Sequence, residues 1–502
     1  VFDELASLYF ADHPFSDLWG QWIERETNPP LFYSLLRLWR FLVPENAGWL
    51  RALPVFLSLA AIALVGHIAR RTWQWPAAAA AIVILALSPS DIYQSAYLRG
   101  YVLARLAVAA SFLGLLWARE GRALIPASRK AENRFPLLAP CSEGWCLFTL
   151  GAIVAIYCHT TMLLWPPVAA AALLFDALIR REPLWPLLRP LALSCLAVLV
   201  ASTWELRTVA IQMHAATGNI SWIKPLEWDD FLDSANRQLL YGDMLNSGFV
   251  ALLAALGALR TFASRTTSLA LLIVPLSLGA FKLADAVHPV TTEFTLHWAA
   301  MFPALLAAAA FKREDKKREA VLVANARDHE KAPRCRDRVQ PLLARVSRRV
   351  APDLLVALTL SGLYDLTQEG TLPRPQDWRE IVTTVARAPS RALLASHESI
   401  GVVVTEMCRV QFHTAKCPFP LVVMANPSES DMWARGGYPG PLVQPRDVPA
   451  ALGHPRTVYA FSRYVYTPLE PLGLDPGDYT EVEWDDGELI GPIPPEDFRR
   501  KP

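Results

Sequence analysis

Long charge-free runs, separated by short polar stretches, dominate the first two-thirds of the chain. Ten of them read as membrane-spanning helices, at about 51–69, 76–89, 100–117, 144–158, 160–178, 187–204, 247–264, 268–285, 296–311 and 350–365. A spanning helix needs ~20 mostly apolar residues to cross the hydrocarbon, and shorter runs cross where the bilayer thins. Ahead of these runs, Leu31 to Val43 is amphipathic, and its Trp39 and Arg40 suit a helix lying in the membrane interface. From about residue 366 the pattern changes. A helix opens at Asp377-Trp378-Arg379-Glu380 and runs to about Ala388, and β-type runs follow at Val402-Val403-Val404 and Leu421-Val422-Val423. Pro- and Gly-rich segments come after them. The pattern predicts a mainly α protein: a polytopic transmembrane helix bundle over 1–365, then a small α/β soluble domain over 366–502. The chain starts at Val1, and a further helix is expected upstream of it.

Charge adds an orientation. Lys and Arg gather in every second loop: Arg70 and Arg71, then Arg119 to Arg134, then Arg180 and Arg181, then Arg265, then the dense stretch from Lys312 to Arg349. Short loops rich in these residues stay on the cytoplasmic side. Residues 1–50, 90–99, 205–246, 286–295 and 366–502 then face the periplasm or an equivalent lumen. A multi-pass protein of the inner (plasma) membrane is expected, with an extracytoplasmic C-terminal domain.

Composition agrees: 53% of the 502 residues are hydrophobic and only 19% charged, against about a quarter charged in ordinary soluble domains. The net charge of +1 excludes the strongly basic profile of a nucleic-acid binder. Of seven cysteines, only Cys408 and Cys417 fall in the outer domain. Disulfides persist in that compartment, so a Cys408–Cys417 bridge is expected. No Cys/His spacing of a structural zinc site is present.

Candidate chemistry gathers in the outer segments. The first holds Asp3-Glu4 and Asn28-Pro29-Pro30-Leu31-Phe32-Tyr33, the second runs from Ser88 through Asp91 to Arg99 and Tyr101, and a tight turn reads Tyr157-Cys158-His159. Arg105 and Lys282 fall within apolar runs, where ionisable residues are costly and point to function. Arg105 shares a helix face with Tyr101 four residues earlier.

In this order and placement the motifs resemble the GT-C membrane glycosyltransferases of family 39, the bacterial relatives of protein O-mannosyltransferases and the lipid A aminoarabinose transferase. The matching elements are the acidic pair Asp3-Glu4, the Asn28-to-Tyr33 segment, Arg51, Ser88 to Tyr101, and Tyr157-Cys158-His159. Trp222 to Pro225 and Asp377-Trp378-Arg379 add to them. The likeness covers about residues 1–400. One departure stands out: the Gln-Glu of the second outer loop is Ala96-Tyr97 here, which removes a carboxylate, and Asp91 stands nearby.

The resemblance implies an inverting transferase that moves a sugar from a polyprenyl-phosphate-linked donor to a hydroxyl of a lipid, glycan or protein acceptor, at the bilayer surface. Asp3, with Glu4, would supply the carboxylate base that a hydroxyl nucleophile needs. Arg99, Tyr101, Arg105 and Lys282 would bind the donor phosphate, and Asn28, Tyr33, Asp91 and His159 the substrates. No cofactor is demanded; were a divalent metal used, Asp3, Glu4 and Asp91 would be its candidate ligands. Each assignment has a plainer alternative: a solvated helix end for Asp3 and Glu4, interfacial anchors for Arg99 and Tyr101, a backbone-satisfied turn for His159, and snorkelling for Arg105 and Lys282. Two other functions stay open, a transporter or flippase and a non-catalytic membrane scaffold. The first lacks the paired halves common among transporters.

Overall fold

The computed structural model describes residues 2–20, 26, 28–120, 143–214, 223, 225–292, 294–313, 335–367, 376–388, 391–396, 398–414, 416–425, 440–453, 456–462, 468–484 and 487–499. Trp222, Lys224, Cys141, Arg122 to Arg134 and Lys316 to Arg318 lie outside these residues.

Three helices precede the first long span: α1 (Phe2–Asp12), the single turn α2 (Phe15–Leu18) and α3 (Leu31–Arg40). The amphipathic stretch therefore forms α3, with Phe32, Tyr33 and Leu36 buried. Asp3 and Glu4 do not sit in a loop. They open α1, where acidic side chains complement the positive end of the helix dipole.

The ten apolar runs divide unevenly. Five form helices long and apolar enough to cross a membrane: α4 (Ala47–Trp73), α7 (Tyr101–Glu120), a 3-10 turn (Thr160–Leu164) continued by α9 (Trp165–Ile179), α13 (Met244–Thr261) and α14 (Arg265–Val287). Two more become bent pairs. Helix α5 (Trp75–Ala86) turns by 68° into α6 (Pro89–Ser95), and α10 (Trp185–Ala201) turns by 57° into α11 (Thr203–His214). The α5–α6 elbow has a local cause. Pro89 cannot continue the preceding helix, while Ser88 starts the next by accepting a bond from the Asp91 N–H.

Two runs form shorter apolar helices, α8 (Glu143–Ile156) and the segment 297–311, a 3-10 turn (His297–Ala300) leading into α15 (Met301–Ala308). The tenth, 350–365, lies within a longer helix. That helix is α16 (Cys335–Thr367), 33 residues long, with its Arg residues gathered in the first half. Among the described residues, five to seven segments are thus long and apolar enough to cross a membrane, where ten runs were expected from sequence. Between α11 and α13 lies α12 (Trp228–Leu239).

Small residues let these helices approach closely, the usual device where lipid removes any hydrophobic drive between helices. A Cβ on Gly114 would collide with the Phe148 backbone across the α7–α8 seam, and one on Gly257 with the Leu306 carbonyl across α13–α15. Described residues from the ends of the basic loops meet at one end of the bundle. There Glu182 pairs with Arg119 and Arg265, buried Asp176 with Arg180 (2.7 Å) and Arg265 (3.2 Å), and Arg71 with Glu120 (3.5 Å). Arg51 and Arg99 lie at the opposite ends of α4 and α7.

The C-terminal region carries α17 (Gln376–Arg387), α18 (Glu398–Phe412), the short α19 (Val448–Leu452) and six strands. These are β1 (Arg391–Ala395), β2 (Leu421–Met424), β3 (Leu442–Val443), β4 (Thr457–Ser462), β5 (Glu481–Trp484) and β6 (Gly487–Ile493), in the order β3-β2-β1-β4-β6-β5. The first four run parallel, and β6 and β5 add an antiparallel edge. Alternation sets the two faces of β1: Leu393 and Ala395 join the core shared with α17, α18 and the bundle, while Ala392 and Leu394 join a second cluster under α19.

Val402-Val403-Val404 was expected as a strand and is instead the middle of α18. All three are buried, and burial on a packed helix overrides their modest β preference. Cys408 and Cys417 form a disulfide that ties α18 to the approach to β2.

Candidate active site

Asp3 and Arg99 meet. Arg99 Nη2 lies 3.0 Å from Asp3 Oδ1, and Tyr97 Oη donates to Asp3 Oδ2 at 2.9 Å. On its other side Arg99 Nη1 donates to Tyr33 Oη (2.8 Å) and stands 3.5 Å from Glu26 Oε1. Tyr33 in turn donates to Glu26 Oε1 at 2.9 Å, and Asn28 Nδ2 does so at 3.1 Å. The guanidinium is nearly buried while the Asp3 side chain is 41% exposed. One charged centre therefore joins a carboxylate open to solvent to a wall of partners that hold the arginine still.

Glu4 takes a different part, although it is the next residue. It is buried, chelated by Arg51 (Nε to Oε1, 2.9 Å), and accepts the Leu98 N–H at 3.3 Å. It thus anchors the backbone that immediately precedes Arg99. Successive helical residues point about 100° apart, so Asp3 reaches solvent while Glu4 faces α4.

Three local features bring these segments together. Leu31 N–H donates to the Tyr157 carbonyl (3.2 Å), pinning the start of α3 to the turn before His159. Gly100 sits so tightly against the Cys158 carbonyl that a Cβ there would collide with it. His159 caps the following 3-10 turn, accepting the Thr161 N–H, and packs on Tyr101 with ring centroids 4.9 Å apart.

Electrostatics follow from burial and neighbours. Burial opposes the charge on Arg99, but Asp3, Tyr33 and Glu26 outweigh it and hold the guanidinium pKa well above its ordinary value. Burial, aided by Arg99, pushes the His159 imidazole down to about 3, so it is neutral. Burial and Asp3 raise the Tyr97 phenol well above its usual range, so it stays a donor.

An aromatic wall adjoins the centre. Tyr93 stacks on Phe294 (5.6 Å, 6° between planes), and Tyr97 and Tyr101 lie against the same ring at 5.8 and 5.7 Å. Tyr101, His159, Phe294 and Trp298 border a shallow opening.

Of the residues singled out from sequence, Asp3, Glu4, Asn28, Tyr33, Arg99, Tyr101 and His159 are gathered here. Three are not. Arg105 is fully buried in α7, where it pairs with Asp91 and donates to Ser58 Oγ (3.1 Å). It does not share an open face with Tyr101, because α6 folds over it. Asp91 is therefore a buried counter-ion, with His297 Nε2 at 3.7 Å and Ser90 bonded to His297 Nδ1. Lys282 donates to the Leu226 carbonyl and lies 5.0 and 5.3 Å from the Trp228 and Phe231 ring centres. It shares no described contact with Arg99.

The suggested metal ligands do not converge either. Asp3, Glu4 and Asp91 each face a different arginine, and among the described residues no three His, Cys, Asp or Glu side chains form a metal-binding group. Sequence reasoning missed Glu26; its only signal was a carboxylate two positions before Asn28. Tyr97 was read as a loss, yet it supplies the hydroxyl that holds Asp3.

This architecture, a helical membrane bundle with a mixed sheet at its C-terminal end, is shared with a solved structure. The crystal structure of ArnT from Cupriavidus metallidurans in the apo state superposes with a TM-score of 0.59 over 98% of this chain and 92% of that one, at 15% identity. The structure of the same protein bound to undecaprenyl phosphate gives 0.58, 98%, 93% and 14%. No family model matches the sequence, and no curated protein does.

Proposed function

We propose that the chain is a membrane glycosyltransferase that moves a sugar from a polyprenyl-phosphate donor to an acceptor hydroxyl, with inversion, on the extracytoplasmic face. The observation that carries the reading is the Asp3–Arg99 pair, a solvent-open carboxylate held by Tyr97 against a buried guanidinium. It is supported by the likeness in fold to ArnT, a protein seen with undecaprenyl phosphate.

In the reaction, the acceptor oxygen attacks the anomeric carbon from the face opposite the phosphate and loses its proton to Asp3. The bond from that carbon to the phosphate oxygen breaks, and the electron pair leaves with the lipid phosphate. Arg99 takes up the developing charge. A donor phosphate entering beside Arg99 displaces Asp3 from it, so donor binding itself releases the base. Glu26 and Tyr33 keep the guanidinium oriented meanwhile. Glu4 and Arg51 neutralise each other and only position. The basic ends of the helices on the other side of the bundle support the orientation.

The test uses purified protein and polyprenyl-phosphate sugars in detergent or vesicles. Asp3→Asn should abolish transfer while membrane insertion is retained. Full transfer by that variant would sink the assignment of Asp3.

A further inference from the structure

Helix α1 is held at both ends. Its first turn places Asp3 on Arg99. Its last turn is gripped by three arginines from two other elements. Arg37 of α3 donates to the Ala11 and Asp12 carbonyls (3.2 and 2.6 Å), and Arg40 of α3 donates to the Leu8 carbonyl (3.0 Å) and pairs with Asp12 Oδ1 (2.6 Å). The last carbonyls of a helix have no partner within it, and cations there also complement its dipole.

The third arginine comes from the C-terminal region. Arg409 of α18 lies 2.8 Å from Asp12 Oδ2 and 3.6 Å from Glu45 Oε1, and donates to Glu406 Oε2 at 2.6 Å. Glu45 also pairs with Arg40, which closes the network. Between its two ends α1 is buried from Leu5 to Ala11. Nine residues separate Asp3 from Asp12, about 13 Å along the axis and on opposite faces at about 100° per residue. Arg99 and Arg409 therefore clamp one short helix from opposite sides.

We propose that Arg409 is a positioning residue for Asp3: acting through Asp12 and the Arg40–Glu45 pair, it sets the axial position and roll of α1 and makes the C-terminal region part of the active-site scaffold. The inference rests on the transferase reading for its consequence in rate. A fork-shaped guanidinium can hold Asp12 and Glu406 at once, which a point charge cannot. A displacement of about 1 Å at a reacting group costs up to roughly 100-fold in rate.

The experiment uses the full chain purified in detergent, with Arg409→Ala, Arg409→Lys and the double variant of Arg409→Ala with Asp12→Ala. Steady-state transfer is measured together with hydrogen–deuterium exchange. Arg409→Ala should lower kcat by roughly 10- to 100-fold with donor KM within about two-fold. Exchange over 2–12 should quicken while α4 and α7 keep wild-type rates. Arg409→Lys should recover part of kcat, and the double variant should be no worse than the single. An unchanged kcat in Arg409→Ala overturns the proposal, as does quickened exchange throughout the bundle. Should the wild-type chain transfer no sugar, the transferase reading fails by itself; unchanged exchange over 2–12 in Arg409→Ala would then still overturn the clamp, and selective quickening would support it.

Discussion

Neutralising the two adjacent carboxylates should give opposite results. Glu4→Gln keeps the shape of the side chain and removes its charge. The wild-type Glu4 side chain is only 4% exposed and Arg51 20% exposed. Breaking a fully buried ion pair costs about 3–5 kcal/mol because the remaining charge is left unpaired. Arg51 reaches some solvent and the amide can still accept from it, so a cost of about 2 kcal/mol is expected. Asp3→Asn differs. Its side chain is 41% exposed, and Arg99 keeps Glu26 and Tyr33. Exposed pairs contribute less than ~1 kcal/mol. In a chain of this size 2 kcal/mol moves Tm by about 4–8 °C at most. A thermal melt in detergent, run beside the transfer assay, should show Glu4→Gln melting several degrees low with residual transfer, and Asp3→Asn melting like the wild type with none. Equal melting shifts for the two variants would refute the division of labour between them.

Other expectations follow from single contacts. Tyr97→Phe removes the hydroxyl that holds Asp3 and should cut kcat by about 10-fold, as the loss of a charge-assisted bond of ~1.5 kcal/mol implies. Gly257→Ala drives a Cβ into the Leu306 carbonyl and should destabilise by about 1–3 kcal/mol, whereas Gly279→Ala meets nothing within 4 Å and should be neutral or stabilising in a melt. Burial raises the Glu406 carboxyl from 4.5 to about 7, against Arg409 and Arg40 and with Asp12, while Tyr9 also faces it. Its stabilising contribution is thus full below pH 4.5 and lost as pH rises through about 7. The wild-type melt should fall between pH 5 and pH 8, and Glu406→Gln should flatten that slope.

The sequence made the spanning bundle legible because membrane helices announce themselves by length and lack of charge. The resemblance of its motifs to a known family suggested grouping Asp3, Arg99, Tyr33 and Asn28, which the fold brings into contact. It failed where partners are decided by folding alone. Arg105 and Lys282 were both ionisable residues in apolar runs, and nothing local told whether each would find a phosphate, a buried aspartate or an aromatic face. Val402-Val403-Val404 misled because β-branched residues mark a strand only when the chain around them is free to pair. Glu26 carried no periodicity at all.

The contact between α1 and α18 joins residues far apart along the chain, Asp12 and Arg409. A ribosome delivers α1 long before it delivers α18, and the spans between them enter the membrane in the interval. Until α18 arrives, Arg409 cannot reach Asp12, and the side of α1 turned toward it lies uncovered. On the proposed reading, the support of Asp3 is then completed late, by a helix made after every candidate span. A growing chain with its candidate spans in place would, on that reading, still lack the clamp that positions Asp3.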